Sequence, residues 1–218
     1  MLAKESNSAA GNIKVALQEP KFSDMFCGRT FLGKKFLILG ICWCTYMYCS
    51  YVTEAFLQYT IGDVFTDTIT VANAQALGYA LSGYLYVKFD GGKRIITGSL
   101  IAAGVLSALM LSVHSEPSTY GSGAFVAILI MGIHTTLSMT MNSLMLVTFT
   151  GFPITYIGSV YGVLQIISRV CGLLGPMTAH GSDLIGTKIA FSLLCLLTAL
   201  IAGLFFEEKK TMIMRDDN

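Results

Sequence analysis

The 218 residues carry 14 basic and 13 acidic side chains, a net charge of +1, and are 54% hydrophobic but only 12% charged. A mean hydropathy of +0.66 lies outside the usual range of soluble domains, and so even a charge balance gives no footing for nucleic acid. The sequence holds no GxGxxG, Walker or HExxH pattern, so it offers no cofactor site and no catalytic constellation, and it reads as a non-enzyme.

In chain order, residues 1–35 form a polar, partly disordered leader. It lacks the apolar run of a signal peptide, and Glu5, Glu19 and Asp24 argue against a mitochondrial transit sequence. Six membrane-length apolar segments follow, at 36–58, 69–87, 95–113, 123–149, 157–178 and 189–206. Each approaches or exceeds the ~20 residues that cross a ~30 Å hydrocarbon core. The predicted architecture is an all-α membrane protein, a six-helix transmembrane bundle over residues 36–206 with a short polar tail at 207–218.

Charge placement predicts topology. Lys4, Lys14, Lys21, Arg29, Lys34 and Lys35 precede the first span, Lys88, Lys93 and Arg94 fill the second turn, and Lys209, Lys210 and Arg215 lie in the tail. With six spans, these 12 of the 14 basic residues share one side, leaving only Lys188 opposite and Arg169 within a span. Basic residues stay cytoplasmic, or on the matrix side of a mitochondrial inner membrane, so both termini are expected there. The plasma membrane and the mitochondrial inner membrane both fit.

Within the spans, Ala74, Gly78 and Ser82, and again Gly158 and Gly162, repeat small residues at four-residue spacing. Such spacing lets helix backbones approach where lipid gives no hydrophobic drive. Five of the six cysteines lie in spans and none forms a CxxC pair, so they read as packing residues. His134 and Asn142 are expected to hydrogen-bond between helices. Tyr46, Tyr48 and Tyr51 either line a pathway or form an interfacial belt.

Arg169 is the outlier, near the middle of the fifth span. A charge at that depth is costly and usually faces a cavity or a partner. Gly162, Gln165, Gly172 and Pro176 share its face, whereas Leu164, Ile167, Cys171 and Leu174 point elsewhere. Two roles suit it: a structural ion pair with Glu54, or an anion-attracting group in a central cavity.

These residues resemble a known pattern. The stretch GSVYGVLQIISRVCGLLGP, through Ser168, Arg169, Gly172 and Pro176, is similar to helix eleven of the organic ion transporters of the major facilitator superfamily. Pro153 resembles the proline closing helix ten, and GLFFEEKKT resembles the segment after helix twelve. Gly83, Leu85, Lys88, Gly92, Lys93 and Arg94 match the superfamily's loop between helices eight and nine, with Asp90 nearby. Thr150 and Val87 stand where acidic residues are expected, and no arginine follows Pro153.

All matches fall in the C-terminal half of that family. The resemblance therefore implies one six-helix half, built of two inverted three-helix repeats. It also implies a half-size transport protein acting as a homodimer or with a second half. An arginine at the Arg169 position marks family members that move organic anions. The implied substrate-binding residues are Arg169, Gln165, Glu54, Tyr48 and Tyr51, with Gly83, Lys88, Asp90, Gly92, Lys93 and Arg94 in a gating loop. The alternative is a non-transporting structural or assembly subunit of a larger membrane complex. Membrane lipid is a partner on either reading.

Overall fold

The computed structural model describes residues 30–57, 64–89, 91–113, 121–181 and 184–206. The leader residues 1–29, the tail 207–218 and Asp90 lie outside the described residues. Six helices account for nearly all the rest: α1 (Thr30–Leu57), α2 (Val64–Phe89), α3 (Gly92–Val113), α4 (Gly121–Gly151), α5 (Ile154–Gly181) and α6 (Leu184–Phe205). Every expected span falls inside or almost wholly inside one of them. The helices overrun the apolar runs because the backbone keeps its hydrogen bonds as it passes into the headgroup layer. Thus α1 begins six residues before the apolar segment and takes in Lys34 and Lys35. Pro153 separates α4 from α5, since it disfavours helix at the residue before it; the Tyr156 N–H then donates to the Pro153 carbonyl at 2.9 Å.

Five of the six are long and apolar enough to cross a membrane, so the chain is an integral membrane protein. The exception is α2, counted from sequence among six spans. At 26 residues it is long enough, but Asp67, Asn73, Gln75, Tyr79, Tyr84 and Tyr86 dilute its apolar content. It is also widely exposed, with Leu77, Leu81 and Val87 uncovered on its outer side. The side chains left uncovered there are apolar, so that face is suited to lipid or to another protein.

Interhelical contacts fix the direction of every helix. Gly40 lies by Leu164 and Tyr51 by Gly172, so α1 and α5 run parallel. Thr135 bonds the Ala74 carbonyl and Asn142 bonds Ser82, so α2 and α4 also run parallel. Thr45–Thr198 at 2.8 Å and Cys49–Cys195 at 3.5 Å make α6 antiparallel to α1. Ser99–Thr140 at 2.7 Å, with Leu106 against Gly132, makes α3 antiparallel to α4. The chain therefore alternates up and down six times. The start of α1 and the end of α6 meet at one end, where the Lys35 ammonium sits 5.8 Å from the Phe206 ring. Lys93 shares a small apolar cavity with Phe206, Leu39 and Ala202, so the turn between α2 and α3 lies at that end too.

The packing has an internal exchange pattern. α2 packs on α4 as α5 packs on α1, α3 packs on α4 as α6 packs on α1, and α1 meets α4 as α3 meets α6. Swapping the first three helices for the last three maps these contacts onto themselves. With an odd number of helices per unit, the second is inverted relative to the first.

α1 is the helix most enclosed. Trp43 is fully buried; its indole N–H donates to Thr148 Oγ1 at 3.4 Å and its ring meets Tyr46 and Tyr161 edge-on. Asn142 makes the expected interhelical bonds, to Ser82 Oγ at 2.6 Å and to the Tyr79 carbonyl at 3.4 Å. His134 does not: it is 1% exposed and its Nε2 has no partner among the described residues. Lys188, expected just ahead of the sixth span, instead lies inside α6 and is buried, with Ser107 donating to its carbonyl.

Candidate functional site

Two flanking helices and a two-helix floor make the open face of the bundle. α1 and α4 pack together as the floor, α2 lies on α4 and α5 lies on α1. No substantial contact joins α2 to α5 across the gap.

Arg169 is exposed midway along α5, and its Nη1 donates to the Tyr51 hydroxyl at 3.4 Å. Tyr51 can come so close because Gly172 has no side chain: a Cβ there would sit 2.7 Å from the Tyr51 ring. Gly175 likewise admits the α1 backbone, with a Cβ only 3.1 Å from the Tyr48 carbonyl oxygen. Gly172, expected on the arginine's face, thus seats the tyrosine that holds the guanidinium, and Gly175, not expected there, seats it too. Gln165, one turn earlier, is half-buried; Glu54, near the end of α1, is exposed. Arg169 reaches Tyr51 and not Glu54, so the ion pair weighed from sequence is not formed among the described residues.

Next to this pair, three helices meet at one sulfur. Tyr46 and Tyr79 both donate to Met141 Sδ, at 3.0 and 3.3 Å. Tyr46 lies within electrostatic range of both Glu54 and Arg169. Tyr79 and Met141 were not anticipated, although Gln75, Tyr79 and Ser82 at i, i+4 and i+7 form a polar stripe that signals one side of α2. Gly158 and Gly162, read as contacts, face open space.

Tyr48 leaves the group. Its hydroxyl pairs with Thr178 Oγ1 at 3.0 Å. There, as expected, Leu164, Ile167, Cys171 and Leu174 turn away from Arg169 and line a separate apolar groove.

The residues expected in a gating loop gather at the end that holds Lys35 and Phe206. Gly83 lies within α2, and the Lys88 ammonium rests 5.9 Å over the Tyr84 ring. Gly92 opens α3 against the Val147 side chain and the Tyr86 ring. Lys93 and Arg94 follow in the first turn of α3, where positive charge opposes the helix dipole.

Chemically, the face presents a fixed cation, phenol hydroxyls and a carboxylate. Among the described residues no three His, Cys, Asp or Glu side chains group to hold a metal. Such an arrangement can bind and orient an anion. The Tyr51 bond is testable by itself. Tyr51→Phe keeps the ring on Gly172 and removes the hydroxyl, a change of ~0.5–1.5 kcal/mol for a typical bond. Modification of Arg169 by phenylglyoxal, followed by peptide mass spectrometry, should then speed up about two- to ten-fold. An unchanged rate would show that the bond does not form. Compared with known proteins, the chain matches no family model, and no curated protein matches it.

Proposed function

We propose that the chain is a half-size membrane transport protein of the major facilitator kind that moves organic anions, completed by a second half or a second copy of itself. The observation that carries this is Arg169, exposed at mid-depth on the open face and steadied by Tyr51. A cation there attracts carboxylates and repels ammonium groups, the more strongly for a low local dielectric. Gln165, Glu54 and Tyr51 complete the proposed site, with Tyr46 and Tyr79 on its floor and far wall. Two further features support the reading. The exchange pattern of the two three-helix units is the arrangement in which such transporters bind substrate. The mixed polarity and exposure of α2 suit a helix that faces a pathway or a second half.

The second reading, a non-transporting subunit of a larger membrane complex, is favoured by Thr150 and Val87. Thr150 Oγ1 bonds the Leu146 carbonyl of its own helix at 2.9 Å, and Val87 is 83% exposed, so neither takes part in a charge network. Native electrophoresis of the mildly solubilised protein, paired with uptake of radiolabelled benzoate into proteoliposomes, separates the two. A band near dimer mass with uptake supports transport. Co-migration with a large complex and no uptake establishes the subunit.

The end of the bundle carrying Lys34, Lys35, Lys88, Lys93 and Arg94 is proposed to face the cytoplasm or the mitochondrial matrix. A cysteine placed at Lys88 in a cysteine-free background should react with an impermeant maleimide only from that side. Labelling from the opposite side alone would reverse the orientation.

A further inference from the structure

The groove behind the site belongs to neither reading of the open face. It runs between α1 and α5, with Leu194 of α6 at its edge, encloses about 830 Å³ and is almost wholly apolar. Its two walls are helical stripes: Leu37, Ile41 and Cys44 on α1, and Ile167, Cys171 and Leu174 on α5. Each set recurs at three- to four-residue spacing, so each forms a continuous ridge along its helix.

The ends of the groove differ. Lys34 stands exposed at one, beside Gly33, at the end of the bundle shared with Lys35 and Phe206. At the other, the hydroxyls of Tyr48 and Thr178 close together at 3.0 Å. From Gly33 to Tyr48 the groove extends roughly 22 Å at 1.5 Å per residue. That exceeds the ~15 Å depth of one leaflet's hydrocarbon. A charged mouth, an apolar shaft of tail length and a closed far end describe an amphiphile with an anionic head. Charge complementarity chooses the head: among the described residues Lys34 is the cation that lines the groove, since Lys35 turns inward onto Phe206.

We propose that this groove holds an acyl chain of an anionic phospholipid from the leaflet on the basic side, with the headgroup on Lys34. The lipid would fill the cleft between α1 and α5 from behind, on the side of α5 opposite Arg169. The inference stands whether or not the chain transports.

Native mass spectrometry of the full chain, exchanged into phosphatidylglycerol or phosphatidylcholine with identical acyl chains, tests it. One phosphatidylglycerol per chain should survive collisional activation that strips phosphatidylcholine. Lys34→Glu should erase that preference, lowering retention about five-fold, the effect of one basic residue near an anionic headgroup. Ile167→Trp, which fills the shaft while leaving Lys34 in place, should remove both lipids. Equal retention of the two lipids by the unaltered protein would overturn the proposal. So would a preference that persists in Lys34→Glu, or an Ile167→Trp variant that keeps its lipid. A dimer that Ile167→Trp dissociates would assign the groove to a second copy instead.

Discussion

Arg169→Lys is expected to leave the protein in the membrane at its normal level while cutting uptake of a labelled organic anion ten- to a hundred-fold. Lysine keeps the charge but loses the planar fork that grips a carboxylate with two parallel bonds. Hydrogen bonds to charged groups contribute about 1.5–3 kcal/mol, and each 1.4 kcal/mol is a factor of ten. Arg169→Asp should weaken anion uptake further and admit organic cations, because it inverts the sign of the charge on the open face. The structural alternative makes a different forecast. Removing one member of a buried ion pair costs roughly 3–5 kcal/mol. Membrane levels would then collapse in Arg169→Ala and in Glu54→Ala and partly recover in the double variant. The bond from Arg169 to Tyr51 argues for normal levels in all three. Normal levels with unchanged uptake in Arg169→Lys would end the anion-site proposal.

The largest effect on stability is expected at Gly78. Its α-carbon packs so tightly on α4 that a Cβ would run into the Thr135 carbonyl oxygen and lie 2.7 Å from the Ser138 Cβ. Backbone cannot step aside as a side chain can. Gly78→Leu should therefore cost more than the ~1–3 kcal/mol usual for overpacking, splitting α2 from α4. The Asn142–Ser82 bond one turn along would be lost with it, adding only ~0.6 kcal/mol. Membrane abundance should fall to about a tenth. Gly158→Leu is the control: nothing lies within 4 Å of a Cβ there, so that variant should accumulate normally. Equal abundance of the two would mean that α2 does not sit on α4 as described.

The contrast between these two glycines shows where the sequence stops being readable. Gly78 and Gly158 sit in the same four-residue spacing of small residues, yet one is pressed against a backbone and the other faces open space. Spacing says that a helix has a smooth side; it does not say which neighbour that side meets. The six helices were legible because long apolar runs mark them, although α2, the exception, falls short of the apolar content of a crossing. Their overrun at Lys34 and Lys35 was not, because the hydrophobic signal ends where the hydrocarbon does. Arg169 stood out through sheer cost, and its face on α5 followed from helical periodicity. Its partner did not. Tyr48 and Tyr51, three positions apart, share a face of α1, and Tyr46 lies across the helix from them, so spacing alone does not separate the roles of Tyr48 and Tyr51. Only the docking of α1 on α5 decides that Tyr51 meets the arginine while Tyr48 turns to Thr178. Tyr79 and Met141 were hidden for the same reason: Tyr46 of α1 and Tyr79 of α2 meet at a sulfur that belongs to a third helix.

The parallel pairing of α1 with α5 has a consequence during synthesis. Tyr51 and the Gly172 that seats it are separated by most of the chain, and translation proceeds at roughly 5–20 residues per second. For some 6–24 seconds, then, α1 must wait in the bilayer without the helix it packs on most extensively. During that wait its tyrosines face lipid or the insertion machinery. Defects at Gly172 or Gly175 should therefore appear first as newly made chains cleared before completion of folding, at a stage when a mature pool purified afterwards would look sound.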